Sequence, residues 1–223
     1  GVFLFVLFWL NLTQPNRFYR GQLGDNSPFF VFMGQLRGQP REQLLGIWGQ
    51  QYRRLTINLS FDMPKGYETA NGTFDPTVNT LFINKEMLQS QPEYEQMFYL
   101  FHELRHALQY LHPERFDELI SRSRLYVIQY DGTCYKLVDG EWKECKLEGS
   151  IEFFTELYLG QPHERDANDF AYERVKALLG ASPELQELLA FWTPKKPISD
   201  QVYEELYRQI DEITGETSCE TSR

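Results

Sequence analysis

Residues 101–110 read FHELRHALQY, and two histidines four apart on a helix constrain this chain more than any other feature. In an α-helix, positions i and i+4 lie one turn apart on the same stripe. His102 and His106 can therefore aim ring nitrogens at one point about 2 Å from each, the distance a zinc ion requires. Glu103 is offset by roughly 100° around the axis, which sets its carboxylate beside such an ion rather than on it. From there it can take a proton from a metal-bound water. The neighbouring residues supply the helix. Met97, Leu100, Phe101, Leu104, Ala107, Leu108 and Leu111 recur as an apolar stripe over about 92–111. The two histidines fall on the opposite side, toward a cleft rather than into the core.

A solvated polar helix face could spell the same motif, and a third ligand decides between the two readings. A catalytic zinc takes three protein ligands and keeps its fourth position for water. His112, just ahead of Pro113 at the helix end, is too far along the axis to join. The candidates are His163 and Glu164 in QPHERDANDFA, with Glu152 and Glu156 in IEFFTELY as rivals. Pro162 suits the first position of a helix, so Glu164 falls in the first turn, where the helix dipole favours a carboxylate. Ala167 is small enough to let this helix approach another closely, and Phe170, Ala171 and Leu178 supply a packing face. Asp166 or Asn168 could support a ligand histidine by hydrogen bonding, as metal sites usually require. Tyr110, Tyr158 and Tyr172 are candidates to stabilise an oxyanion. Arg105 reads as an ion-pairing surface residue.

HELRH followed by ERDANDFA resembles the ImmA/IrrE group of metallopeptidases, a branch of the zincins, over roughly residues 52–180. The resemblance implies an α+β, zincin-like domain with a small mixed sheet, an active-site helix, a β-hairpin insertion and C-terminal helices. It implies zinc held by His102, His106 and Glu164, with Glu103 as general base and a protein or peptide as substrate. It also implies that an extended substrate pairs with an edge strand. NTLFIN (79–84) is one candidate for that edge, and an ordinary internal strand is the other reading of it. Two features depart from the family pattern. His106 and Glu164 stand 58 positions apart, wider than expected, and no helix-turn-helix module is visible. The alternative function is a catalytically silent protein of the same fold that binds a metal or a partner; the intact Glu103 argues against it.

The rest of the chain bounds the setting. Hydrophobic residues make up 42% of the 223, enough for one core-bearing domain. A net charge of −10 without a basic stripe excludes general nucleic-acid binding. Cys134, Cys145 and Cys219 are too few for a disulfide scaffold, so a reducing, cytoplasmic setting is expected. The apolar run 2–10 is too short for a bilayer, which needs about 20 residues. It reads as a buried strand or helix end; the alternative is the remnant of a membrane segment, and with it a membrane tether. Residues 1–40 are expected to form an apolar, irregular N-terminal segment, 41–213 a single domain, and 214–223 a flexible polar tail. Helices are expected over 40–55, 162–180, 182–192 and 200–213, strands over 54–61 and 80–84, and β structure over 124–149. Asp139-Gly140 favours a two-residue hairpin turn. That register sets Leu137 opposite Trp142, Cys134 opposite Cys145, and Lys136 against Lys143, an unfavourable like-charge pair that a longer loop would avoid.

Overall fold

A computed structural model describes residues 19–22 and 56–215. The expected elements at 2–10 and 40–55, the end of the polar tail and Cys219 lie outside the described residues.

Four short strands, β1 (Tyr19–Gln22), β2 (Thr56–Ser60), β3 (Gly72–Asp75) and β4 (Thr80–Ile83), form one sheet in the order β1-β2-β4-β3. β2 and β4 run parallel, while β1 and β3 are antiparallel to their neighbours, so the sheet is mixed as expected. β1 comes from within the segment read as irregular. All four residues of β4 are buried, and it is an internal strand rather than the edge. Among the described residues the edges are β1 and β3, and β3, the neighbour of β4, lies in a stretch that reads as turns. Asn71-Gly72 and Asp75-Pro76 bracket only four residues there, too few to display a period of two.

The chain then runs through α1 (Lys85–Gln89), whose first turn the Asn84 side chain caps, into α2 (Glu93–Leu111), which carries HELRH. After a 3₁₀ turn at Pro113–Arg115 and α3 (Glu118–Ser123) comes a second, antiparallel sheet. It consists of β5 (Tyr126–Ile128), β6 (Thr133–Val138) and β7 (Glu141–Lys146), in that order. Four helices follow: α4 (Ile151–Leu159), α5 (Pro162–Leu179), α6 (Pro183–Phe191) and α7 (Asp200–Thr214). The described residues thus form an α+β fold of seven helices and two small sheets. None of these helices is long and apolar enough to cross a membrane.

The hairpin turn has the expected form. Asp139 and Gly140 take φ of 51° and 82°, the pair of left-handed residues a type I′ turn requires. Leu137 faces Trp142 and Cys134 faces Cys145, both cysteines being buried and free. Lys136 does pair with Lys143, but the like charges are resolved by burial. Lys136 turns inward, with Nζ 2.5 Å from the Asp211 carboxylate on α7, while Lys143 stays in solvent.

Two apolar cores result. The first lies between the mixed sheet, α2, α5 and α6, and includes Leu81, Ile83, Leu100, Leu104, Leu108, Val175 and Leu185. The second lies between the antiparallel sheet, α4 and α7, and includes Ile128, Cys134, Phe154, Leu157, Tyr203 and Ile210. Gly132 belongs to the second. At φ +81°, a Cβ there would lie 2.5 Å from the Leu147 carbonyl oxygen and 2.7 Å from Phe154 Cε2, whereas Gly140 faces open space. Gly140→Ala should therefore lose only the left-handed preference, about 1 kcal/mol. Gly132→Ala adds a collision with backbone and should lose more than about 2 kcal/mol. Denaturant midpoints of the two variants measured together check this ordering.

Candidate metal centre

α2 and α5 pack antiparallel, and the contacts count in opposite directions along them. Phe101 meets Phe170, Arg105 meets Asp166, and Gln109 meets the His163 carbonyl. Ala107, Ala167 and Ala171, all fully buried, keep the two backbones close. On this alignment Glu164 stands opposite His106. The two histidine Nε2 atoms are 2.9 Å apart, and Glu164 Oε2 is 3.3 Å from that of His102 and 3.5 Å from that of His106.

The triangle suits a metal ion. Ligands about 2.0–2.1 Å from a tetrahedral ion stand about 3.3 Å apart. Two neutral imidazoles and a carboxylate are a donor set for a divalent cation, and these three residues form a group able to hold one. His106 is held in the right tautomer. Gln109 uses its amide N–H groups on the His163 carbonyl and on Asp166 Oδ2, both at 2.8 Å, so its Oε1 accepts from His106 Nδ1 at 2.8 Å. In neutral His106 the Nε2 lone pair is thereby left for an ion. His102 Nδ1 is buried without a hydrogen-bond partner, so among the described residues no acceptor fixes the tautomer of this ring as Gln109 does for His106.

The expected supports differ in detail. Asp166 makes no bond to a ligand histidine; it reaches His106 through Gln109. Its carboxylate also takes the Arg105 fork at 2.8 Å to each oxygen, and the guanidinium is stacked between Phe116 and Phe170. Arg105 is thus an interhelical clamp rather than a surface ion pair. Asn168 is buried and lines the cleft, but its Oδ1 has no partner, and the expected bond to a ligand histidine is not made. Gln109 went unread in the sequence, although its place three residues after His106 puts it on the same helix face.

The rival ligands lie elsewhere. Glu152 is exposed, Glu156 accepts the Lys196 backbone N–H at 3.0 Å, and His112 sits at the helix end beside Glu114. His163 is buried, with Nε2 3.4 Å from Glu164 Oε1, whereas Oε2 is the oxygen nearest the other two histidines. Of the three tyrosines, Tyr158 lines the cleft. Tyr110 donates its hydroxyl to the Arg124 carbonyl, and Tyr172 lies against Lys176. Phe98 stacks on His102 at 6.5 Å, and Tyr99 and Trp192 continue that aromatic wall.

Glu103 is set between helix and sheet. A Cβ on Gly72 would lie 3.0 Å from Glu103 Cγ, so the missing side chain in β3 is what admits the glutamate. The Asn84 N–H bonds the Asn71 carbonyl at 3.0 Å. By antiparallel alternation, Thr73 and Asp75 then face β4, while Gly72 and Phe74 turn their backbone groups to the other side, where no described strand pairs with β3. The Phe74 N–H is hydrogen-bonded to the Glu103 carboxylate. Burial raises the Glu103 pKa above the ordinary carboxylate value, although His102 and His106 pull against it. Burial also works against the charge of Glu164, but His106, His102 and His163 outweigh it and hold that carboxyl well below the usual range. For His106, burial opposes the charge, yet Glu164 and Glu103 prevail and raise its pKa to about 9.

No family model, no curated protein and no solved structure matches the chain.

The raised His106 pKa sets a pH dependence. Below about pH 9 the empty centre holds a proton on His106 that a cation must displace. Affinity for a divalent ion should therefore rise by about tenfold per pH unit below that point and then level off. Isothermal titration in buffers of different ionisation enthalpy should show about one proton released per ion at pH 7. PH-independent binding would contradict the coupling.

Proposed function

We propose that this chain is a zinc-dependent metallopeptidase of zincin-like fold, with the ion held by His102, His106 and Glu164. The observation that carries the reading is Glu103. It stands beside the three-residue group rather than in it, next to β3, an edge strand among the described residues. A purely structural ion site has no use for such a base. The likeness of HELRH and ERDANDFA to the ImmA/IrrE metallopeptidases supports the same reading.

Zinc, when bound, supplies a Lewis acid that polarises a carbonyl and makes water more acidic. Glu103 accepts the proton of the attacking water at a carboxylate oxygen and hands it to the leaving amine nitrogen. Its raised pKa suits a group that must both take and give a proton. The Phe74 N–H orients the carboxylate, and Gly72 leaves it room. The Tyr158 hydroxyl, on the cleft wall, donates to the oxyanion that develops as the carbonyl is attacked. An extended protein or peptide pairs its backbone with the outward groups of β3 other than the Phe74 N–H, which Glu103 holds, and its side chains meet Phe98, Tyr99 and Trp192.

Elemental analysis and peptide hydrolysis on the same preparations test this. Glu103→Gln should keep near-stoichiometric zinc while turnover falls by roughly 10²–10⁴-fold. His102→Ala should lose both. A wild-type protein that takes up no zinc, or a Glu103→Gln variant with full turnover, would overturn the proposal. Tyr158→Phe should keep its zinc and its KM while kcat falls by about 10²-fold; an unchanged kcat would remove Tyr158 from the oxyanion site.

A further inference from the structure

Behind Glu164, on the side away from the cleft, lies a chain of polar groups with almost no access to water. Ser123, at the end of α3, is fully buried, as is Tyr207 on α7, and His163 is 4% exposed. The Tyr207 hydroxyl donates to Ser123 Oγ at 2.7 Å, and the His163 backbone N–H points to the same oxygen at 3.4 Å. With both lone pairs engaged, the Ser123 hydroxyl proton is left for His163 Nδ1, 2.7 Å away. The imidazole must then carry its own hydrogen on Nε2, which faces Glu164 Oε1 at 3.4 Å. Each member uses its partners in one direction only, so the chain has a sense: Tyr207 to Ser123 to His163 to Glu164.

We propose that this relay is a clamp on the third metal ligand, with His163 as a positioning residue. It rests on the reading of His102, His106 and Glu164 as a metal centre. By holding Oε1, His163 leaves Oε2 to face the two histidines, so the carboxylate would offer a bound ion one oxygen rather than both. Gln109 does the same for His106 from the other side. The outer end of the relay is also fixed. One turn beyond Tyr207, Asp211 takes the Tyr126 hydroxyl at 2.7 Å and Lys136 Nζ at 2.5 Å, which ties α7 to the second sheet. The position of a metal ligand is thus set from the second core, across three elements.

The test is zinc affinity by competition with a chromophoric chelator, together with the visible spectrum of the cobalt(II)-substituted protein. His163→Ala and Ser123→Ala should each weaken zinc binding by 10- to 100-fold. The double variant should be no weaker than His163→Ala alone, because Ser123 acts only through His163. His163→Gln, which can return an N–H donor to the same oxygen, should recover most of the affinity. Tyr207→Phe should weaken binding less, and the cobalt(II) bands should shift in His163→Ala as the second carboxylate oxygen is released to the ion. Unchanged zinc affinity and cobalt spectra in these variants would overturn the clamp while leaving the metal centre standing. So would independent, additive losses from Ser123 and His163. If His163→Ala fails to fold, Ser123→Ala and Tyr207→Phe decide by the same measurements. Absence of zinc binding in the wild type would instead overturn the metal reading on which the clamp rests.

Discussion

Glu164 carries its charge into the seam between α2 and α5, where little water remains to solvate it. A carboxylate in that position costs several kcal/mol unless donors or cations surround it. Here three histidines converge on its two oxygens, each at 3.3–3.5 Å. Their convergence depends on how closely two antiparallel helices approach, and that depends on Ala107, Ala167 and Ala171 offering no bulk between them. Polar chemistry and apolar packing are therefore one constraint. A larger residue at Ala167 would part the helices and leave Glu164 charged and unpartnered, and a loss of the histidines would leave the close seam holding a bare carboxylate.

The same logic extends outward. Gln109 is fully buried and can afford to be so because its amide finds a ligand histidine, a backbone carbonyl and Asp166. Asp166 in turn is matched by the Arg105 fork, and Arg105 is covered by two aromatic rings. Each polar group is satisfied by the next until the chain reaches solvent. Buried networks of this kind specify one geometry, because a shift of any member leaves its neighbours unpaired. That fixed geometry would suit a metal centre built from three protein ligands.

How much of this is legible in the sequence follows from how local each feature is. The apolar stripe of α2, the i,i+4 histidines and the Asp139-Gly140 turn are properties of consecutive residues, and all appear as read. Gln109 carries the same local signal, three residues after His106. Glu164 is different: first-turn placement and the likeness of ERDANDFA to a family motif point to it, but only the α2–α5 packing brings it to the histidines. β3 hides between two turn signals because its four residues become a strand only by pairing with β4. α3 is too short to show a period, so nothing local marks Ser123. Tyr207 belongs to the apolar stripe of α7, where its ring predicts burial and its hydroxyl predicts nothing. Groups that act through partners dozens of residues away leave no pattern in a linear reading.

The interval between His106 and Glu164 holds the antiparallel sheet and α4, part of the second core, rather than a long loop; α7, which completes that core, follows later. Two of the three ligands lie within one helix and come together as soon as α2 winds. The third arrives only after the chain has built β5, β6, β7 and α4 and returned along α5. During synthesis, then, the pair of histidines exists well before the carboxylate that completes the set. An ion held by all three residues would stabilise only chains in which α5 has docked on α2, so metal retention would act as a check that the intervening sheet and α4 have been accommodated.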